Sequence, residues 1–162
     1  MRKLIFMIFA SVVLMSACAG YDCTMNNMVY TMYKIYDKSG AADTLRDTMS
    51  IWTDRNDGND TVLINRMSGV TGFNLPISHA QPEDVFFIQW KGKTYVAYDT
   101  IKVTKEATPH FESADCQPSF FHKITGVKST DNIIDSIVIN NPNVTYDKSK
   151  EHFRIYIKSS GI

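Results

Sequence analysis

After Cys23, apolar residues recur at alternate positions in short runs separated by Gly, Pro, Asn and Asp, and no window of twelve residues carries an apolar stripe of helical period. A chain patterned with period two has one face of each strand to bury, which leaves stacked sheets or a closed barrel as its stable forms. Residues 28–36 set Met28, Tyr30 and Met32 against Val29, Thr31, Tyr33 and Ile35, a mixture suited to a pleated, half-buried surface. A second strand is expected near 47–53, with Met49 and Ile51 on one face and Trp52 on the other. The segment Asp54 to Asp60 is a concentrated turn signal, after which 61–67 resumes alternation with Val62 and Ile64 against Leu63 and Met67, giving a hairpin. Further strands are expected ending at Leu75-Pro76, over 85–90 as one buried strand, and over 94–104, 120–127, 133–139 and 153–158. Residues 105–118, with two Pro, read as a connection with a short irregular strand leading to Cys116. Eight or nine short strands with turns about every ten residues predict an all-β, two-layer antiparallel sandwich, immunoglobulin-like or a related Greek key; the alternative is a small β-barrel.

The first residues carry a different pattern. Arg2 and Lys3 precede an apolar run from Leu4 to Leu14, then Met15, Ser16, Ala17 and Cys18. A run of about a dozen residues is shorter than the roughly twenty needed to span a bilayer as a helix, so the segment reads as a secretory signal peptide. Ser16-Ala17-Cys18 resembles a bacterial lipobox, although Met15 stands where Leu is commonest. That resemblance implies cleavage before Cys18 and acylation of its sulfur with a diacylglycerol, with a further acyl chain such as palmitate, which together hold a protein durably to a membrane. The alternative is ordinary cleavage near Ala17 or Ala19. The expected organisation is a signal peptide over 1–17, a lipid-anchored tether over 18–27 and a single β domain over 28–162.

Charge narrows the partners. With 17 basic and 17 acidic residues in 162, and no basic stripe, the chain has no electrostatic footprint for nucleic acid. An exported chain also meets an oxidising compartment, where Cys23 and Cys116 are expected to pair. Their bridge would close a loop of just over ninety residues, worth up to about 4–5 kcal/mol in the chain-entropy model. The alternative is two separate buried thiols, and the absence of a Cys-x-x-Cys spacing argues against a redox role.

Signals for catalysis are sparse. His79, His110, His122 and His152 fall at no metal-ligand spacing and are expected to be solvated. His110 and Glu112 could share a strand face beside Asp115, a weak zinc pattern. Residues 54–60 superficially resemble a calcium loop, but the Gly falls one place early and Asn65 stands where a bidentate Glu is required. Asp84, Asp99 and Asp135 are read as turn or strand-end residues. No nucleophile elbow, phosphate loop or dinucleotide fingerprint occurs. Tyr30, Tyr33, Tyr36, Trp52, Trp90, Tyr95 and Tyr98 fill a core for the most part, and alternation turns some of them outward, where they could line a sugar or peptide surface.

Several segments together carry a family resemblance: Cys18 followed closely by Cys23, Phe73-Asn74-Leu75-Pro76-Ile77, Asp99-Thr100-Ile101, Cys116, and Thr130 to Asp135 leading into Ile137 and Ile139. In these the chain resembles a Bacteroidota family of short lipoproteins of unknown function. The resemblance implies an envelope lipoprotein with a sandwich-like β domain and no assigned activity. Asp followed by Thr or Ser and an apolar residue looks like the O-glycosylation acceptor of those bacteria, with Thr44, Thr48, Thr61, Thr100 and Ser136 as candidates. The same triplet also suits a turn entering a strand. The expected function is therefore a non-catalytic binding or accessory module of the cell envelope, without cofactor, held to the membrane by its lipid and meeting an envelope protein or glycan. The alternative is an envelope hydrolase or metal-dependent enzyme.

Overall fold

The computed structural model describes residues 28–54, 59–114 and 116–158. Among them are ten strands and no helix: β1 (Tyr30–Tyr36), β2 (Thr48–Asp54), β3 (Asp60–Met67), β4 (Gly72–Pro76), β5 (Glu83–Lys91), β6 (Val96–His110), β7 (Ser119–Ser129), β8 (Ile134–Ile139), β9 (Asn143–Val144) and β10 (Phe153–Ile157). They form a four-stranded sheet in the order β4-β1-β10-β8 and a six-stranded sheet in the order β3-β2-β5-β6-β7-β9. The inner faces share one hydrophobic cluster, so the architecture is the expected β-sandwich and not a closed barrel. Neighbouring strands are antiparallel except β1 and β10, which run parallel in the middle of the smaller sheet.

Alternation decides what each strand buries. On β1, Thr31, Tyr33 and Ile35 face inward, and Tyr33 lies in register between Phe73 of β4 and Phe153 of β10. Its ring stacks on theirs at 5.0 and 4.7 Å, a cross-strand aromatic row that fixes the register of three strands at once. On β2, Met49 and Ile51 are fully buried and Trp52 points outward, as its parity requires. The run 85–90 is not buried throughout. Phe86, Ile88 and Trp90 enter the core, while Val85, Phe87 and Gln89 lie on the outer face at intermediate exposure.

Two further expectations are corrected. Val62 and Ile64 do not share a face: β3 carries register shifts against β2, with Ile51 opposite Ile64 but Trp52 opposite Val62. The extra residue reverses side-chain parity, so Ile64 is buried and Val62 is 63% exposed. The strand that starts near residue 94 also does not stop at 104; β6 continues to His110, paired with β7. Its pairing with β5 ends at Thr104, so beyond that point β6 has a neighbour on one side only and tolerates Pro109 as an edge strand would. The two-residue β9, which pairs His122 with Val144, was not expected, because it is too short to leave a periodic trace in the sequence.

Candidate functional site

The outer face of the six-stranded sheet holds a cluster of partly exposed aromatic side chains. Trp52 of β2 and Phe87 of β5 are direct cross-strand partners, with ring centroids 6.0 Å apart and planes 25° from parallel. Tyr98 of β6 meets Trp52 edge-on at 6.4 Å and is itself 54% exposed. Its hydroxyl accepts a hydrogen bond from Gln89 Nε2 at 2.9 Å, and Val62 stands opposite Trp52 on the other side. Such outward positions are ordinarily polar in a sandwich, so an apolar cluster there is not explained by the core. One step along the same strands, Thr48, Ser50, Arg66, Gln89 and Lys91 line a polar cleft of about 130 Å³.

The other five aromatics singled out from sequence serve the fold. Tyr33 and Trp90 are fully buried. Tyr36 bonds Glu151 and lies under the Arg154 guanidinium, Tyr30 lies under the Lys148 ammonium, and Tyr95 donates to Asp47. Burial first, and the Asp47 carboxylate second, push the Tyr95 hydroxyl up to about 12.

Asp99 is no strand-end residue. It lies within β6 at 2% exposure, and its carboxylate accepts from Trp90 Nε1 at 3.0 Å, Thr130 Oγ1 at 2.7 Å and the amides of Asn132, Ile133 and Ile134 at 2.9, 2.8 and 3.1 Å. The side chain thus ties the turn before β8 to the larger sheet, and this saturation makes it an architectural group. Two segments that carry the family resemblance, Asp99-Thr100-Ile101 and Thr130 to Asp135, meet here.

A second polar group is buried at the other end of the sheet. Lys105 Nζ lies 2.7 Å from Asp84 Oδ2 and donates to the Gln81 carbonyl at 2.9 Å, with the two charged side chains 1% and 7% exposed. Burial raises the Asp84 carboxyl above its ordinary range, against the pull of Lys105 and the Ser78 amide. Asp84, Ser78, Gln81, Thr53 and Phe87 border a cavity of about 380 Å³. His122 is buried as well, where sequence suggested solvation, and its Nδ1 has no hydrogen-bond partner among the described residues. Burial, then the nearby Lys105 charge and His79, push it down to about 4. His152 is likewise fully buried and held below its ordinary range by burial. His122 stays inside because β7 places it on an inward position, a geometry that outweighs its polarity, whereas His152, which precedes β10, is held by its hydrogen bonds to the Met32 backbone.

The remaining candidates are dispersed. Cys18 and Cys23 lie outside the described residues; Cys116 is half-buried in the loop between β6 and β7. Of the 54–60 turn, residues 55–58 fall outside the description, as does Asp115. His79 stacks on Phe120 at 4.4 Å, and His110 stacks on Phe121 at 4.2 Å while Glu112 lies past the strand end. Among the described residues no group of three or more His, Cys, Asp or Glu could hold a metal. Thr44 is exposed between β1 and β2, and Ser136 is exposed on β8; Thr48, Thr61 and Thr100 are half-buried within strands. Leu45, Met49 and Ile101, the third residues of three triplets, are in the core, as a turn-to-strand reading requires.

The fold and this face together define a β-sandwich with an aromatic outer surface. The model of a family of unknown function, DUF6452, matches residues 48–157, from β2 through β10, and the chain belongs to that family. No curated protein and no solved structure matches the chain.

Proposed function

We propose that the protein is a cell-envelope lipoprotein of Bacteroidota, anchored through Cys18, whose β domain is a non-catalytic binding module that meets its ligand on the face around Trp52, Phe87 and Tyr98. The observation that carries this reading is the aromatic cluster itself. It stands on three adjacent strands of a sheet whose core is already filled from the opposite face, and it is the kind of surface that recognition uses. The lipobox supports the anchor, and Cys23 and Cys116 are proposed to close a disulfide that holds the tether to the domain. Thr44 and Ser136, both exposed, are the proposed glycosylation positions.

The test is a binding comparison on the acylated full-length chain in vesicles, titrated with envelope polysaccharides and with peptides. Trp52→Ala or Tyr98→Ala should weaken binding at least tenfold without changing the fold, and binding indifferent to both substitutions overturns the reading. Metabolic labelling with a lipid analogue should mark the wild type and miss Cys18→Ala. A second reading, an envelope hydrolase, is favoured by the Asp84 carboxyl beside the cavity of about 380 Å³. It requires turnover of an envelope substrate that Asp84→Asn removes.

A further inference from the structure

Resting on the binding reading above, we propose that the outer face of the six-stranded sheet takes an anionic glycan, with the sugar rings on the aromatic cluster and an acidic substituent in the cleft between Arg66 and Lys91. The register places three kinds of group in sequence along paired strands. Trp52 faces Phe87, Ser50 faces Gln89, and Thr48 faces Lys91. Outer-face residues of one strand recur about every 6.7 Å, so aromatic, amide and hydroxyl, and cationic groups follow one another over about 13 Å.

Each step suits one part of a charged saccharide. The apolar C–H faces of a pyranose pack on aromatic side chains, and Tyr98, Gln89 and Ser50 offer hydroxyl and amide groups for its hydroxyls. The cleft of about 130 Å³ has room for such a substituent beside the cations. Its two cations make no ion pair with any described residue, although Lys38, Lys102, Lys105, Lys150 and Arg154 all do. Their charge is therefore available to a carboxylate or sulfate, and the Arg66 guanidinium can meet either in a bidentate manner.

The backbone around Arg66 is built for this placement. Arg66 has φ 55°, a left-handed conformation that is uncommon for a residue with a side chain, and its amide donates to Ser50 Oγ at 3.1 Å. It sits where β3 shifts register against β2, a device that redirects a side chain. A peptide fits less well: β2, β5 and β6 are interior strands with partners on both sides here, and no free backbone edge is offered for strand addition.

The experiment titrates the full chain with dextran, dextran sulfate, polygalacturonate and poly-glutamate, and repeats each with Trp52→Ala and with the double variant Arg66→Gln/Lys91→Gln, whose folding is checked by thermal melting. Dextran sulfate or polygalacturonate should bind at least tenfold tighter than dextran. The double variant should erase that difference while leaving the weaker dextran binding in place, and Trp52→Ala should weaken all three polysaccharides. Equal binding of dextran and the anionic polymers, indifferent to the double variant, overturns the anionic assignment and leaves the binding face standing. Poly-glutamate binding as tightly as the polysaccharides, with Trp52→Ala silent, means bare charge attraction and overturns the glycan assignment. Failure of every polymer to bind overturns it as well, and if the peptide titrations above are also indifferent to Trp52 the binding reading falls with it.

Discussion

His152 accepts the Met32 amide proton through Nδ1 at 2.9 Å, while its own amide donates to the Met32 carbonyl at 3.0 Å. An imidazole thereby completes the ladder between β1 and the start of β10, across 120 residues of chain. An acceptor Nδ1 requires the proton on Nε2, and protonating the ring would set a donor against the Met32 donor.

A pH dependence follows. Both His152 and His122 are held below their ordinary pKa, so the folded state binds fewer protons than the unfolded one. Stability is then complete above about pH 6.5 and is lost as pH falls through the window from 6.5 to about 4, where His122 titrates. His122 alone contributes about 3 kcal/mol of that loss by linkage. Asp84, whose pKa is raised, works in the opposite sense at the acid end. Urea unfolding at pH 7 and pH 4.5 should show the drop, and His122→Phe should flatten it.

Lys105 and Asp84 are expected to depend on each other. Lys105→Ala leaves a carboxylate buried without its cation and should cost about 3–5 kcal/mol, whereas Lys105→Met combined with Asp84→Leu should lie within about 2 kcal/mol of wild type. A double-mutant cycle by denaturant unfolding measures the coupling, and additive losses would contradict it.

Asp99→Ala removes an acceptor shared by Trp90 Nε1, Thr130 Oγ1 and three amides. Leaving these donors unsatisfied should cost about 3 kcal/mol or more, with amide-exchange protection lost first at Ile133 and Ile134. Uniform loss of protection across β8 and β10 would mean the residue has no local role.

The outward aromatics should behave unlike the inward ones. Trp52→Ala and Tyr98→Ala are expected to cost about 1 kcal/mol of stability each, and Tyr33→Ala about 3–5 kcal/mol, because only the last opens a cavity in the core. Thermal melting of the three variants distinguishes the two classes.

Much of this arrangement is written in local alternation. Met49 and Ile51 inward send Trp52 outward, and Trp90 inward sends Phe87 outward, so two of the three rings of the aromatic face follow from strand parity alone. What parity cannot show is a residue inserted into the backbone. The bulge at Leu63 separates Val62 from Ile64, and the same irregular strand carries Arg66 to the cleft. Asp99 looked like a turn residue because its partners lie 31–35 residues further on, and hydrogen bonds of that span leave no periodic mark. The burial of His122 was equally hidden, since an inward imidazole and an outward one occupy the same place in a polar pattern.

The parallel pairing of β1 with β10 sets an order of events for the newborn chain. The larger sheet joins β2 to β3, β5 to β6 and β6 to β7 as successive neighbours, contacts of short loop closure that form early. In the smaller sheet β8 and β10 are near neighbours in sequence, but β1, with β4 on one side, meets its other partner only once residues 153–157 have emerged. Until then the faces of Tyr33 and Ile35 lack half their cover, and an early strand must wait for the last one. A chain released as a whole satisfies that condition, whereas one stalled before β10 would present an open, sticky edge to chaperones and proteases.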